Sequence, residues 1–350
     1  MQNIKIIVFL SFIILSACTN TDRNTDFDKK PMLENIAKNL AIPAYESSLK
    51  SFISLDSSIS LLKQENEDNL LKNVRELWKN ASITWAETIP YHFGPIDELL
   101  IENNFHYFPI DTSILNKSLL QFNGEDDFIN QIGSNSRGLA AIEYLLFSKK
   151  TGLDSTKISF AKMISRNLVN LNEELLNHWT SNYAKSFIRK PGNDINASMT
   201  LLSNQWIETV EKIKNVKVGM PSGIIAEEDK NLIAIESPYA NISLSLIQAN
   251  LRAMQKSFNG GEGKGVDDYL NALDIKDDEG KLLSFKINSQ FDLLIELTDH
   301  EKHNLINLIQ EDSEKLDQIY LEVINLSILF KTDLMGQLGL ITTFSDSDGD

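Results

Sequence analysis

The sequence predicts an all-α fold built as two helical bundles. Three observations carry that expectation. Apolar side chains recur at steps of three and four residues along most of the chain, the spacing of one helix face. Strict alternation of apolar and polar residues, the mark of a half-buried strand, is scarce. Turn-forming residues gather in a few short clusters: "YHFGP", "FPIDT", "KPGND", "MPSG" and "FNGGEGKG".

The first seventeen residues set Lys5 ahead of an unbroken apolar stretch from Ile6 to Leu15. That is the pattern of an export signal, too short for a membrane span. It runs into "LSAC", which resembles the lipobox of bacterial lipoproteins, and Cys18 is the only cysteine in the chain. Cys18 is therefore the expected lipidation site, and the membrane, through that lipid, an expected partner. The stretch "TNTDRNTDFDKK" is polar and nearly free of apolar residues, so residues 18–31 should form a flexible tether.

Beyond the tether the helical pattern takes over. "LLKNVRELWKNASITWAETI" puts Leu70, Val74, Leu77, Trp78, Ala81 and Trp85 on one face. "ISFAKMISRNLVNLNEELLNHW" does the same through Ile158, Met163, Ile164, Leu168, Leu171, Leu175 and Trp179, and "KLDQIYLEVINLSILF" repeats it near the end. About 330 residues exceed what one core usually organises. The break at Pro191 divides them into an N-terminal bundle, 32–190, and a C-terminal bundle, 191–350.

The formal net charge is −16, and removal of residues 1–17 takes away only Lys5, leaving −17. Nucleic acid is thereby excluded as a partner, since its phosphates are repelled. With Cys18 lipidated no thiol remains for a disulfide, so stability must come from packing.

Candidate sites are few. In "RGLAAIEYLLF", Glu143 lies inside an apolar run, on the side shared by Leu139 and Phe147. A buried carboxylate must be partnered, protonated or turned to a wet cleft. Arg137 and Arg252 are candidate partners, because a guanidinium matches a carboxylate in bidentate fashion; the alternative is a solvated place at the helix edge. His300 and His303 in "HEKH" are three apart, one short of the zinc-protease spacing, and read as surface residues. "NGGEGKG" follows a helical pattern and lacks Ser or Thr after its lysine, so it reads as a flexible connection, not a phosphate loop. The tail with Asp346, Asp348 and Asp350 stops before a calcium loop could be completed.

Taken together, "ETIPYHFGPIDE", "RGLAAIEYLLF", "MPSGI", "SPYANISLSLIQANLRAM" and "LGLITTFSDSDGD" resemble the imelysin-like family of exported bacterial proteins, from about residue 32 onward. The resemblance implies two helical bundles, a cleft between them and a link to iron uptake. It also implies a signature, G-x-H-x-x-E, whose glycine falls on Gly138 and whose acid falls on Glu143. Its histidine position holds Ala140, which can neither ligate a metal nor move a proton. The family's turn matches Phe93, Gly94 and Pro95, and its second-half helix contains Asn250, Leu251 and Arg252.

The expected cleft is therefore lined by Glu143, Gly138, Arg137, His92, Phe93, Gly94, Pro95, Arg252 and Trp85. Trp78 and Trp85 share a face and could equally be plain core. No catalytic residue and no metal ligand is assigned. Iron or haem is the ligand class that the resemblance implies, and the residues establish no cofactor. The leading expectation is a non-catalytic binding protein for iron or haem uptake, lipid-anchored in the cell envelope. Thr19, in place of an aspartate after the lipid site, favours the outer membrane, facing the periplasm or the cell surface. The alternatives are a metal-dependent peptidase with His92 as substitute ligand, and a scaffold module that holds envelope uptake proteins together.

Overall fold

Amphipathic runs of this length can bury their apolar stripes only against one another, and they do so here in two groups of helices. The structure, a computed structural model, describes residues 26–63, 68–148, 153–225, 229–277, 279–299, 301 and 303–343. The expected export signal, Cys18, His300 and the three tail aspartates lie outside the described residues. Among those described no strand forms; a single bridge joins Lys276 to Leu282. No described helix is long and apolar enough to cross a membrane.

In the first half, α1 (Ile42–Ser60), α2 (Asp68–Ala86), α3 (Gly138–Phe147) and α4 (Ser155–His178) make a ring in which α1 and α3 each touch α2 and α4. In the second, α5 (Ser198–Glu211), α6 (Ser243–Asn259), α7 (Leu283–Leu297) and α8 (Ser313–Ile328) close similarly. There α7 sits between α6 and α8, α5 touches α8, and Trp206 of α5 meets Phe258 of α6 with ring centroids 5.8 Å apart. Shorter helices fill the connections.

Local chemistry sets the ends. Asp154 accepts the Lys157 amide to start α4, and Asp312 accepts the Lys315 amide to start α8; each such cap is worth about 1 kcal/mol. Past their C-termini α4, α5 and α8 run on through π turns, Trp179–Tyr183, Lys212–Gly219 and Leu329–Leu334. The expected tether is shorter than 18–31, because a helix already begins at Lys29. Its start is held by the Asp28 carboxylate on the Lys30 amide and by Phe27 against Tyr269.

Trp78, Trp179 and Trp206 are fully buried, and each large side chain removed from water contributes roughly 1.5–3 kcal/mol. The apolar core runs without interruption from one half into the other. Helix α6 lies against α2, and Asn250 donates to the Ala86 carbonyl at 2.8 Å. Asn35 donates to the carbonyls of Gly260 and Lys264 at 2.8 and 3.0 Å. "NGGEGKG" is therefore a pinned connection, not a flexible one: the Asn35 amide supplies the donors that its turn leaves wanting.

Candidate functional site

Glu143 is 1% exposed, so the helix-edge placement does not hold. Its partners are neither arginine. Oε1 accepts the backbone N–H groups of Tyr239 and Ala240, each at 2.8 Å, from the segment that leads into α6. Burial pushes the carboxyl up to about 8, the two amides oppose this and the neighbouring Glu236 adds to it. Glu143 is thus not the ionised acid of an ion pair, because among the described residues no cation is paired with it to offset desolvation. It is a clamp on the backbone.

The clamped segment is tightly wound. Ser237 and Asn241 hold φ of 52° and 57°, and the Ser237 carbonyl accepts the Asn241 amide at 3.0 Å. Left-handed backbone costs a residue other than glycine roughly 1–2 kcal/mol, so the segment needs outside support. Glu143 supplies it from one side, and the Ser243 hydroxyl, bonded to the Glu236 carbonyl, from the other.

The segment in turn presents Glu236 to a pocket between the halves. Ser82, Trp85, His92, Glu102, His106 and Phe108 line it from the first half; Thr209, Lys212, Lys217, Glu236 and Asn250 line it from the second. Two groups of similar composition face each other. Glu102 Oε1 lies 3.3 Å from His92 Nδ1 and 3.6 Å from Lys212 Nζ. Glu236 lies 3.4 Å from His106 Nδ1 and 2.8 Å from Lys217 Nζ. Burial works against ionisation of Glu102, yet His92 and Lys212 hold its carboxyl at about 2. Burial lowers Lys217, with Glu236 opposing, and Asn250 Oδ1 accepts from its ammonium at 2.7 Å.

The two lysines share a face because the helix changes register beneath them. Residues five apart on an α-helix point about 140° apart. In the π turn the Met220 amide reaches back five residues to the Asn215 carbonyl, and such a turn brings positions five apart into line.

Other expected residues take different places. His92 and Trp85 line the pocket, with ring centroids 4.8 Å apart. Glu143 does not line it and makes no bond to His92, whose ring nitrogens meet Thr88 Oγ1 and Glu102. Gly138, at φ 77°, passes so close to another segment that a Cβ would stand 2.5 Å from the Phe105 carbonyl oxygen. Arg137 donates to the carbonyls of Ile129 and Ile132, because its extended backbone at the start of α3 turns it away from Glu143. Phe93 packs into the first-half core on Phe187, Gly94 lies under the Tyr183 ring, and Pro95 starts a short helix. Arg252 is exposed and lines a separate surface groove with Glu87 and Lys256. Trp78 is core, its indole N–H donating to the Leu139 carbonyl at 3.0 Å.

Sequence reading missed Ser82, Glu102, His106, Lys212, Lys217 and Glu236. Only the position of Glu236, one residue before "SPYANIS", offered a signal.

The pocket does not suit a resident metal or haem. Among the described residues no three His, Cys, Asp or Glu side chains are grouped to hold a metal ion. Here an ammonium beside each carboxylate supplies the positive charge a metal would bring. The space open to water-molecule centres is ≈ 40 Å³, far too little for a haem.

The family model for imelysin (Peptidase M75) matches residues 41–319. No curated protein matches the chain. Among solved structures, an imelysin-like protein from Psychrobacter arcticum superposes with a TM-score of 0.77 at 18% identity, covering 91% of this chain and 99% of that one. A structure assigned as an iron-regulated protein A precursor from Parabacteroides distasonis gives 0.67 at 15% identity, covering 86% and 94%. At such identity the structures show a common fold, and the family model adds descent: this chain belongs to the imelysin family.

Proposed function

We propose that this chain is a lipid-anchored protein of the cell envelope that serves iron acquisition by binding, not by catalysis. Its ligand occupies the pocket between the helical halves. One observation carries the non-catalytic part: the signature acid, Glu143, spends its carboxyl on two backbone amides, with Ala140 where the signature histidine belongs. Neither a metal ligand nor a proton-transfer partner remains for hydrolysis at that place. The iron connection is supported by family membership and by the iron-regulated relative in fold. The anchor is supported by Cys18 and the export pattern before it.

Elemental analysis and a growth assay test this reading together. The purified protein should contain no stoichiometric zinc or iron, and deleting the gene should slow growth under iron starvation alone. Stoichiometric zinc that disappears in His92→Ala would overturn it in favour of a metallopeptidase. A stable complex with envelope uptake proteins that survives every pocket substitution would instead favour a scaffold.

A further inference from the structure

The polar groups of the pocket do not balance, and the imbalance has a sign. The Ser82 hydroxyl is buried and has no hydrogen bond among the described residues. Lys212, its side chain about a third exposed, makes among the described residues only an ion pair to Glu102, at 3.6 Å, beyond hydrogen-bond reach. Lys217 Nζ donates to Asn250, forms an ion pair with Glu236 Oε2 that is not a hydrogen bond, and turns toward the Phe108 ring 5.8 Å away. Each carboxylate, by contrast, already faces both a lysine and a histidine. Two ammonium groups cancel two carboxylates, and the uncommitted lysine N–H groups and the Ser82 hydroxyl outnumber the one buried carboxylate oxygen, Glu236 Oε2, that is left without a hydrogen bond among the described residues.

Size narrows the occupant. Water-molecule centres have only ≈ 40 Å³ of the void open to them, which leaves room for a few water-sized groups and not for a bulky ligand. Formate, acetate and bicarbonate are of that size. Trp85, stacked on Phe105 with centroids 3.9 Å apart, gives the space one apolar flank.

We propose that the pocket binds a small monovalent oxyanion of the carboxylate type, held by Lys212, the Ser82 hydroxyl and a spare donor of Lys217. This rests on the pocket being the protein's binding site, and names the class of its ligand. His106 ties binding to pH. Its ring stacks on Phe108, its Nδ1 faces Glu236, and Lys217 and Lys212 stand close, with Glu102 and His92 across the pocket. Burial pushes His106 down to about 4; Glu236 opposes this and the two lysine charges reinforce it. A bound anion offsets those lysines and raises His106, so binding takes up protons and tightens as the pH falls toward that value.

Calorimetric titration of the purified protein with sodium formate, acetate and bicarbonate tests the proposal, with chloride as salt control and benzoate as an oversized acid. A ligand this small gains at most about 1.5 kcal/mol per non-hydrogen atom, so a Kd on the order of 1 mM is expected. At least one of the three should saturate and benzoate should not. Lys212→Met and Ser82→Ala should each weaken binding by about tenfold. No saturation by any of them, or binding untouched by both substitutions, overturns the proposal. Trp85 fluorescence under an iron chelate separates ligand class from site. A saturable response to the chelate without one to the oxyanions overturns the oxyanion and leaves the binding role standing; silence to both overturns both.

Discussion

Glu143 and Glu236 are both almost fully buried carboxyls, 1% and 2% exposed, on neighbouring pieces of the same interface between halves. They are handled in opposite ways. Glu143 meets two neutral amides and is pushed up to about 8. Glu236 meets the ammonium of Lys217 and the imidazole of His106. The first acid holds a strained segment in place, and the second, carried on that segment, meets the pocket. A signature position can thus persist as scaffolding while the groups equipped to meet a ligand lie one segment away.

The strongest way to break this contrast is to remove the cation from Glu236. Lys217→Met leaves a buried carboxylate uncompensated and should cost about 3–5 kcal/mol in urea unfolding. Adding Glu236→Gln should restore most of the loss; a single variant as stable as the parent would show that the ion pair is idle.

Glu143 should respond less, and to shape more than to charge. Glu143→Ala strands two partly buried N–H groups, for about 1–3 kcal/mol, and hydrogen exchange at Tyr239 and Ala240 should quicken. Glu143→Gln keeps a carbonyl acceptor and should cost under about 1 kcal/mol. Equal losses in the two variants would mean that Glu143 acts through its charge.

Its titration sharpens the point. A carboxyl whose folded value is raised holds more protons folded than unfolded between its ordinary value of 4.5 and about 8. This contribution to stability therefore falls as the pH rises through that window and is flat above it. Urea midpoints measured across the window should show the decline in the parent and its removal in Glu143→Gln. Away from both acids, Trp78→Phe loses the bond to the Leu139 carbonyl at the start of α3 and leaves a cavity where part of a fully buried indole stood, about 1–3 kcal/mol by thermal melting.

Much of the fold was legible along the chain. The face through Val74, Trp78, Ala81 and Trp85 is buried as its period requires. Gly138 was legible as a signature position, and the close approach of the Phe105 carbonyl shows why glycine stands there. Glu143 was legible as an oddity, but its partners were not. Backbone amides look alike in every residue, so no letter in the sequence marks Tyr239 and Ala240 as donors.

The sequence by itself determined the all-α class and most of the helices, because periodicity and end-capping act over a few neighbouring residues. It also determined that Ala140 leaves the signature without its imidazole. Only the tertiary structure decided which charges meet. Glu102 and Lys212, or His106 and Glu236, lie more than one hundred residues apart in the chain. Such pairings follow from how whole helices pack, and in the case of Lys212 and Lys217 from a π turn that departs from the regular helix period.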